Sequence, residues 1–438
     1  MNVVKRLPIL LLLLNLLTSC VVYRAANYWL PEIDEYNAFP QEEIQAGEDK
    51  FYFPVAIDSF LVRQRLVERT AKGDTLVPTV DEYLARSATT AYIIIKNDTI
   101  IYEHYYRGYE RSKISTFFST TKSVTSLLVG IAVDEGHIKS VHDPVTDYIP
   151  ELKNRDSRFQ KLTIEHLLNM QAGLRFKESY TNPFKGMARL FYGRDQLGFI
   201  MRLKFKRNPG EIYDYNSVST AILGIVLERA VNRPYVEYLT EKVWKPLGME
   251  YDASMSLDDK KHRSAKSYQG LSATAIDLAK IGRLYMNGGI WEGKQIVSKE
   301  WIDKSTVPNI AENHISGQKY KDYQYHWYSL ERGWYERSST GAYRFNDSLS
   351  ALDFAERGGF AHYDIRKLKN TDTPGDHWVV IDFSSEFMTF GIMGQTVYVN
   401  PEKKIIMVRL GEKKYNDNNV VQLTRVLTRR YPVLEKRW

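Results

Sequence analysis

A serine and a lysine three residues apart stand at the start of a long apolar helix pattern, and this stretch constrains the fold most. From Val124 the apolar residues recur at 127, 128, 131 and 132, the spacing of one buried helix face. The helix is predicted to begin near Ser119 and to end at Gly136. Residues three apart share a helical face, so Lys122 can reach the Ser119 hydroxyl beside the unpaired amides of the first turn. Such a pair could act as a nucleophile and its base, although S-x-x-K strings also arise often by chance.

Length and charge limit the classes of function. With 438 residues the chain can hold two or three domain equivalents, or one large core with insertions. Its net charge of +7 comes from 60 basic and 53 acidic residues, and no dense run of Lys or Arg occurs in the sequence. We therefore do not expect nucleic acid as a partner.

The N-terminal residues are typical of a segment that directs export. Lys5 and Arg6 precede the apolar run Leu7–Leu17, which is short for a membrane span. The run leads into the string LTSC, which resembles a bacterial lipobox ending at Cys20, the sole cysteine of the chain. A lone thiol cannot form an intramolecular disulfide, and lipidation would give it a use. The alternatives are a plain secretory signal or a membrane anchor that happens to contain a cysteine.

If Cys20 is lipidated, the protein is expected in the bacterial cell envelope, attached to the membrane through that residue. Val21 is not acidic, and resemblance to such lipoproteins then favours the outer membrane, facing the periplasm. Residues 1–19 would be the signal peptide, and residues 20–87 a tether and N-terminal extension without chemistry.

Strand patterns occur at both ends of the remaining chain, with helix patterns between them. A hairpin is predicted from 90–95 and 99–105. Helices are expected in a region of about 140–270, and β-rich runs return at 378–381, 388–399 and 404–410. A last helix is predicted near 419–430. This order suggests one antiparallel sheet built from the N- and C-terminal strands, with a helical region inserted.

Three further motifs follow the serine and lysine in a fixed order. They are the segments 209–217 with Tyr215, 270–278, and Gly391–Gln395. Together with Ser119 and Lys122 the set resembles the serine β-lactamase superfamily. It is most similar to the class C-like branch of esterases, peptidases and amide hydrolases, including those resembling 6-aminohexanoate-dimer hydrolase. The resemblance covers roughly residues 90–411.

The resemblance implies an α+β fold of the β-lactamase/transpeptidase type, an antiparallel sheet flanked by helices with an inserted helical region. The hydrolase domain would span residues 88–415, and residues 416–438 would form a C-terminal helix on the sheet. Members of the family pass more directly through this part of the chain, so about 330–376 is expected to be an insertion. It could be a lid over the Ser119 pocket or an adaptable surface loop.

The resemblance also implies roles for individual residues, without a cofactor. Ser119 would be the acylated nucleophile and Lys122 its base. Tyr215 would relay protons to the leaving group and from the incoming water. The backbone amides of Ser119 and Gln395 would form the oxyanion hole.

Two departures from the family pattern bear on the substrate. The family has asparagine two residues after the tyrosine, whereas here Asn216 and Ser217 follow Tyr215, and either could take the polar role. The third of these motifs, Gly391–Gln395, is called the third element below. In β-lactamases and DD-peptidases a lysine or histidine of this element contacts the carboxylate of the substrate. Ile392, with Met393 and Gly394 after it, stands in that place, and an apolar side chain supplies no charge. Five residues are expected to line the pocket: Asn216, Ser217, Ile392, Met393 and Gly394.

The histidines are scattered without metal-binding spacing, so no metal site is expected. The leading interpretation is a serine hydrolase that acts on a small-molecule ester or amide through an acyl-enzyme. One alternative is a catalytically weak or inactive envelope-binding lipoprotein of the same fold, related to peptidoglycan. A second is a β-lactamase or D-amino-acid peptidase. The sequence leaves the oligomeric state open.

Overall fold

The computed structural model describes residues 32–69, 75–179, 186–307, 323–331, 344–345, 363–369, 376–412, 423–424, 427 and 433–434. The predicted lipidation site at Cys20 and most of the insertion lie outside these residues. Within the part that is described, no helix has both the length and the apolar character needed to cross a membrane.

The centre of the molecule is a nine-stranded sheet in which strands from both ends of the chain are neighbours. Its main path runs β11-β12-β15-β16-β17-β4-β5, and β13 and β14 pair with β15. The strands are β1 Gln41–Ile44, β2 Val67–Arg69, β3 Thr75–Leu76, β4 Thr89–Lys96, β5 Thr99–Tyr105, β6 Ser115–Thr116, β7 Ala253–Ser256, β8 Leu271–Ala273, β9 Ile290–Trp291, β10 Lys294–Gln295, β11 Tyr323–Gln324, β12 Trp327–Glu331, β13 Arg344–Phe345, β14 Tyr363–Lys369, β15 Asp376–Met388, β16 Thr396–Asn400, β17 Ile405–Gly411 and β18 Val433–Leu434.

Helices cover both faces of this sheet, and the sequence of β4 shows why. Ala91, Ile93 and Ile95 enter the large core on one face, whereas Tyr92 and Ile94 enter a smaller cluster on the other. A strand that is covered on both sides reads as a continuous apolar run, although its side chains alternate. The α-helices are α1 Ser59–Arg63, α2 Val80–Arg86, α3 Thr121–Asp134, α4 Ile164–Leu168, α5 Gly186–Tyr192, α6 Gln196–Ile200, α7 Ser217–Val231, α8 Tyr235–Leu239, α9 Ala275–Met286 and α10 Lys299–Thr306.

Helix α9 lies directly on the sheet, and helices α3 and α7 belong to the same large core. A Cβ added to Gly282 of α9 would lie 2.9 Å from Val397 and 3.0 Å from Ile406, so this helix approaches the strands closely. The opposite cluster contains α2 and the buried residues Leu423 and Leu427. The predicted α+β arrangement, with terminal strands in one antiparallel sheet and helices around it, is confirmed.

Most predicted elements are present, with one notable difference. The hairpin at β4 and β5, the helix of Ser119 and Lys122, and the helix that opens at Thr274 all form. The stretch 388–399, expected to be β-rich throughout, contains the last residue of β15, a turn centred on Ile392–Gly394 and the first four residues of β16. Met393 and Gly394 have φ of 69° and 81°, a left-handed conformation that ends a strand. The predicted last helix lies mostly outside the described residues.

A smaller sheet contains the strand that directly precedes the segment of Ser119. Its four strands are ordered β1-β7-β8-β6. Strand β6 ends at Thr116, and a 3-10 turn at Phe118–Thr120 leads into α3. Ser119 is thereby set at the junction between a strand and the N-terminal end of a buried helix.

Candidate active site

The turn that carries Ser119 is backbone-strained. Phe118 has φ of 48°, a conformation that is rare for a bulky side chain, and its ring is buried. The Phe117 amide donates to Leu271 O at 2.8 Å, and the Thr120 hydroxyl donates to Gln395 O at 2.9 Å. Contacts on both sides therefore hold the turn in place and leave the Ser119 side chain partly exposed.

Lys122 reaches Ser119 as its spacing predicted. The Lys122 Nζ donates to Ser119 Oγ at 2.9 Å and to the Tyr268 carbonyl oxygen at 2.9 Å. Only 1% of the lysine is exposed. Burial lowers the pKa of Lys122 to about 8, although the charge of Glu178 acts in the opposite direction. A substantial fraction of the amine is therefore neutral near pH 8 and able to accept a proton.

Tyr215 lies beside this pair. The Lys122 Nζ is 5.2 Å from the centre of the Tyr215 ring. Burial raises the pKa of Tyr215 well above its ordinary value, and a hydrogen bond with the Ser119 side chain partly opposes that effect. The phenol is thus neutral at physiological pH and can pass a proton along, whereas Lys122 is the better base.

The two polar residues after Tyr215 have different positions. Asn216 caps α7, since its Oδ1 accepts hydrogen bonds from the Ser219 amide at 3.0 Å and the Ser219 hydroxyl at 2.8 Å. Ser217 begins the helix and binds a carboxylate, Glu178, which sequence reasoning missed. The Ser217 hydroxyl and amide donate to Glu178 at 2.6 and 2.9 Å. Asn216 therefore stabilises the helix, and Ser217 links the Tyr215 segment to a negative charge.

The third element, Gly391–Gln395, approaches the turn that carries Ser119 most closely at Gly391. A Cβ at this glycine would lie 2.5 Å from Phe117 O, so any larger residue would push the two segments apart. The Gln395 amide donates to Gly391 O at 3.2 Å, and the Gln395 side chain is bonded to the backbone of Gly411. A role for the Gln395 amide as oxyanion donor would require the first of these bonds to be given up. Ile392, Met393 and Gly394 form the 3-10 turn between these two residues.

A buried arginine holds this turn from behind. Arg409 of β17 donates to the carbonyl oxygens of Met393 at 3.1 Å and Gly394 at 2.9 Å. The same guanidinium binds Ser87 O at 2.7 Å and the Thr89 hydroxyl at 3.1 Å. One planar group thus joins the turn to the start of β4.

An aromatic wall with a buried histidine lies on the other side of Tyr215. The ring centre of Tyr323 is 6.0 Å from that of Tyr215, and the Tyr323 hydroxyl is 2.9 Å from His326 Nδ1. His326 Nε2 is 3.1 Å from the Thr220 hydroxyl on α7. Burial, together with the nearby Lys122 charge, lowers the pKa of His326 well below its ordinary value. This neutral ring connects the β11–β12 turn to α7 rather than serving as a base for Ser119.

In the described ranges no three His, Cys, Asp or Glu side chains come close enough together to hold a metal ion. The groups that the structure brings together at the site are the Ser119 hydroxyl, the buried Lys122 amine and the Tyr215 phenol.

Comparison with known proteins connects this geometry to a family. A family model described as Beta-lactamase matches residues 78–428. The 6-aminohexanoate-dimer hydrolase of Paenarthrobacter ureafaciens is 28% identical over 240 residues, which is 52% of this chain and 60% of that enzyme. The match with this curated relative therefore spans less than two thirds of its length.

Solved structures show the same fold. A Bacillus anthracis protein assigned as a 6-aminohexanoate-dimer hydrolase superposes with a TM-score of 0.67 at 20% identity, covering 90% of both chains. A class C β-lactamase superposes with a TM-score of 0.53 at 14% identity, covering 80% of this chain and 93% of the other. The fold is therefore of the β-lactamase/transpeptidase type. Since the family model matches most of its length, the chain belongs to the β-lactamase family.

Proposed function

We propose that the protein is a serine hydrolase that cleaves an ester or amide through an acyl-enzyme on Ser119. The observation that carries this proposal is the hydrogen bond of 2.9 Å from the buried Lys122 amine to Ser119 Oγ. A lysine with a pKa of about 8 is neutral often enough to take the serine proton, whereas an exposed lysine is not.

The reaction follows from these positions. Neutral Lys122 accepts the proton of Ser119, whose oxygen bonds to the carbonyl carbon. As the intermediate collapses, the bond to the leaving group breaks, and that group receives a proton relayed through Tyr215. Water then attacks the acyl-enzyme, losing one proton by the same route as Ser119 regains its own. The products are an acid and an alcohol or amine, so one water is consumed for each bond cleaved.

The developing oxyanion needs two backbone donors. The Ser119 amide, at the N-terminal side of α3, is one. For the second, we place the amide of Ile392 beside that of Gln395 as a candidate. Ile392 directly follows Gly391, the residue that touches the nucleophile turn. Ile392→Pro removes that donor, and Gly391 has φ of −119° and ψ of 149°, which proline tolerates in its predecessor. We expect Ile392→Pro to lower kcat by about 100-fold, and Ile392→Ala to lower it far less.

The favoured substrate class is an ester or amide without the carboxylate that β-lactamases and DD-peptidases bind at the third element. Apolar residues occupy the third element, and the name of the P. ureafaciens relative indicates an amide substrate for that enzyme. A β-lactamase activity is the second candidate, because the family includes such enzymes. We expect slow or absent hydrolysis of a chromogenic cephalosporin, since no lysine or histidine stands at Ile392 or Met393.

A fluorophosphonate probe distinguishes an enzyme from a binding protein of the same fold. The wild-type protein should be labelled, and Ser119→Ala should not. Lys122→Ala should be labelled at least 100-fold more slowly. Absence of wild-type labelling, or labelling of Ser119→Ala to the same extent, would favour the inactive envelope-binding alternative. A screen of p-nitrophenyl esters and short amides then identifies the substrate class.

We also propose that Cys20 carries a lipid and anchors the protein to the cell envelope, as the lipobox-like string indicates. Cys20→Ala should move the protein from the membrane fraction to the soluble fraction. Retention of this variant in the membrane would contradict the proposal.

A further inference from the structure

The positive charge of the chain is concentrated in one segment. Between Lys153 and Arg207 the sequence has thirteen Lys and Arg residues against four Asp and Glu residues, while the whole chain has a net charge of only +7. The rest of the molecule is therefore slightly acidic. Within this segment the basic residues are separated by other residues, and only the fold shows which of them lie close together.

Four of them meet at one cleft. Helices α5 and α6 and the segments 175–176 and 202–204 line an open cavity of about 230 Å³. The Arg175 amide donates to Lys204 O at 2.7 Å, which fixes the two ends of the cleft side by side. The charged and aromatic residues that line it are Arg175, Phe176, Arg189, Phe199, Arg202 and Lys204.

The cations of this cleft lack acidic partners. Within the described part of the chain, none of the residues Arg175, Arg189, Arg202 and Lys204 forms an ion pair. Arg189 instead lies over the ring of Phe199, with its guanidinium carbon 5.8 Å from the ring centre. Several like charges at one concave surface produce a positive potential that attracts an anion. The aromatic rings add an apolar floor for the carbon skeleton of such a ligand.

The cleft is close to the reaction site along the chain. Phe176, which lines it, is two residues before Glu178, so their Cα atoms lie within about 7 Å. Glu178 in turn binds Ser217, two residues after Tyr215. The short segment from Arg175 to Glu178 therefore joins the cleft to the segment that carries Tyr215.

We infer that this basic cleft binds a carboxylate at the distal end of the substrate. The ligand class is an ester or amide whose acyl chain carries a negative charge several bonds away from the reacting carbonyl. Arginine guanidinium groups bind carboxylates through paired hydrogen bonds, so Arg189 and Arg202 supply the matching donors. The inference rests on the proposed function, because it assigns a substrate to the Ser119 site.

The test uses p-nitrophenyl monoesters of straight-chain dicarboxylic acids of several lengths, each paired with its methyl-capped neutral diester. For the wild-type protein we expect KM to be about tenfold lower for the acid than for its neutral partner at one or more lengths. The double variant Arg189→Gln/Arg202→Gln should abolish this preference and leave turnover of the neutral esters unchanged. Lys153→Gln/Arg194→Gln, which removes the same charge outside the cleft, should keep the preference.

Two further outcomes separate this inference from the proposed function. Hydrolysis of neutral esters without any preference for acids, or equal effects of both double variants, would overturn the cleft assignment alone. Failure to hydrolyse any ester would contradict the proposed function. In that event calorimetry with the free dicarboxylates decides the cleft, with binding expected in wild type and lost in Arg189→Gln/Arg202→Gln.

Discussion

In the proposed mechanism, the ionisation of Lys122 sets the pH dependence of catalysis. Burial lowers the pKa of this amine to about 8, and the amine must be neutral to accept the Ser119 proton. We therefore expect kcat/KM for a neutral ester to rise with pH and to reach a plateau above about pH 8. The measurement is a pH profile from 6 to 9.5. A profile that stays flat over this range would contradict the role of Lys122 as the base.

Glu178 tunes that ionisation through its charge. Its carboxylate raises the pKa of Lys122 against the effect of burial. In Glu178→Gln the amine should lose its proton more easily, so the midpoint of the kcat/KM profile should move to lower pH. Because the amide can still accept from Ser217, the Tyr215 segment keeps one of its hydrogen bonds.

The control for this variant is Glu110→Gln, which removes the same charge at an exposed position hydrogen-bonded to Ser112. Its midpoint should equal that of the wild type. A shift to higher pH in Glu178→Gln would contradict the electrostatic role assigned to Glu178.

Sequence reasoning works unevenly at the scale of single residues. Ser119 and Lys122 could be paired because their contact is local, set by three residues of helix. Glu178 could not be found in this way, since it meets Ser217 across 39 residues and no periodic pattern connects them. The sequence also left open whether Asn216 or Ser217 takes the polar role in the pocket. The directions of their side chains depend on where α7 begins, which the sequence does not define to one residue.

At the scale of elements, the close passage of Gly391 past the nucleophile turn is the critical contact. Gly391→Ala would place a methyl group 2.5 Å from Phe117 O and 3.3 Å from the Thr120 hydroxyl. Its φ of −119° suits any residue, so the effect is purely steric. We expect kcat/KM to fall by about 100-fold, because a displacement of about 1 Å misaligns the reacting groups.

Gly47→Ala is the matched control, because its new methyl group would meet Lys245 at an ordinary distance of 3.6 Å. Activity and the midpoint of urea unfolding should stay close to wild type in this control. If Gly391→Ala keeps full activity, the third element does not need its close approach to Phe117.

The turn between β11 and β12 contributes stability through His326. Both turn residues, Tyr325 and His326, have positive φ, at 44° and 66°, where glycine or asparagine is usual. The buried ring compensates by bridging Tyr323 and Thr220. His326→Ala leaves those two hydroxyls without this partner and should lower the free energy of unfolding by about 2–4 kcal/mol. Urea unfolding measures this, and His142→Ala, at an exposed histidine, should change it by less than about 0.5 kcal/mol.

Secondary structure was predicted correctly where a single hydrophobic periodicity dominates the sequence. It was predicted wrongly where a turn interrupts a β-rich stretch. The apolar stripe from Val124 identified α3, and the β-rich runs identified β4 and β5. The stretch 388–399 has high β propensity at both ends, which concealed the left-handed residues Met393 and Gly394 in its middle. Tertiary contacts with Phe117 and Arg409 select that turn.

At the scale of the whole molecule, Arg409 connects distant parts of the chain. Its guanidinium binds Ser87 and Thr89 at the N-terminal side of the sheet and the turn of the third element at the C-terminal side. Arg409→Met leaves several buried oxygen atoms without their donor. We expect the free energy of unfolding to fall by about 3 kcal/mol or more, with a loss of activity from the displaced turn.

Arg409→Lys is the informative companion, since it keeps the charge and loses the planar set of donors. It should recover only part of the stability measured by urea unfolding. Equal stability of Arg409→Met and the wild type would show that water replaces the guanidinium at these oxygens.

The general architecture could be predicted because strand patterns at both ends and helices between them leave few arrangements for one antiparallel sheet. The basic cleft could not, because its cations lie up to 29 positions apart in the sequence, from Arg175 to Lys204. Their meeting depends on how α5 and α6 pack, which amino-acid periodicity does not encode.

The pairing of β4 with β17 has a consequence for how the protein is made. Lys96 pairs with Ile405, so strands separated by roughly 300 residues must meet at the centre of the sheet. At a synthesis rate of about 5–20 residues per second, the ribosome needs roughly 15–60 s to deliver the second strand after the first. Until then β4 presents an apolar edge with unpaired backbone groups, which is prone to aggregation. The central sheet is therefore completed only when its last strand emerges, and the chain is most exposed to aggregation before that point.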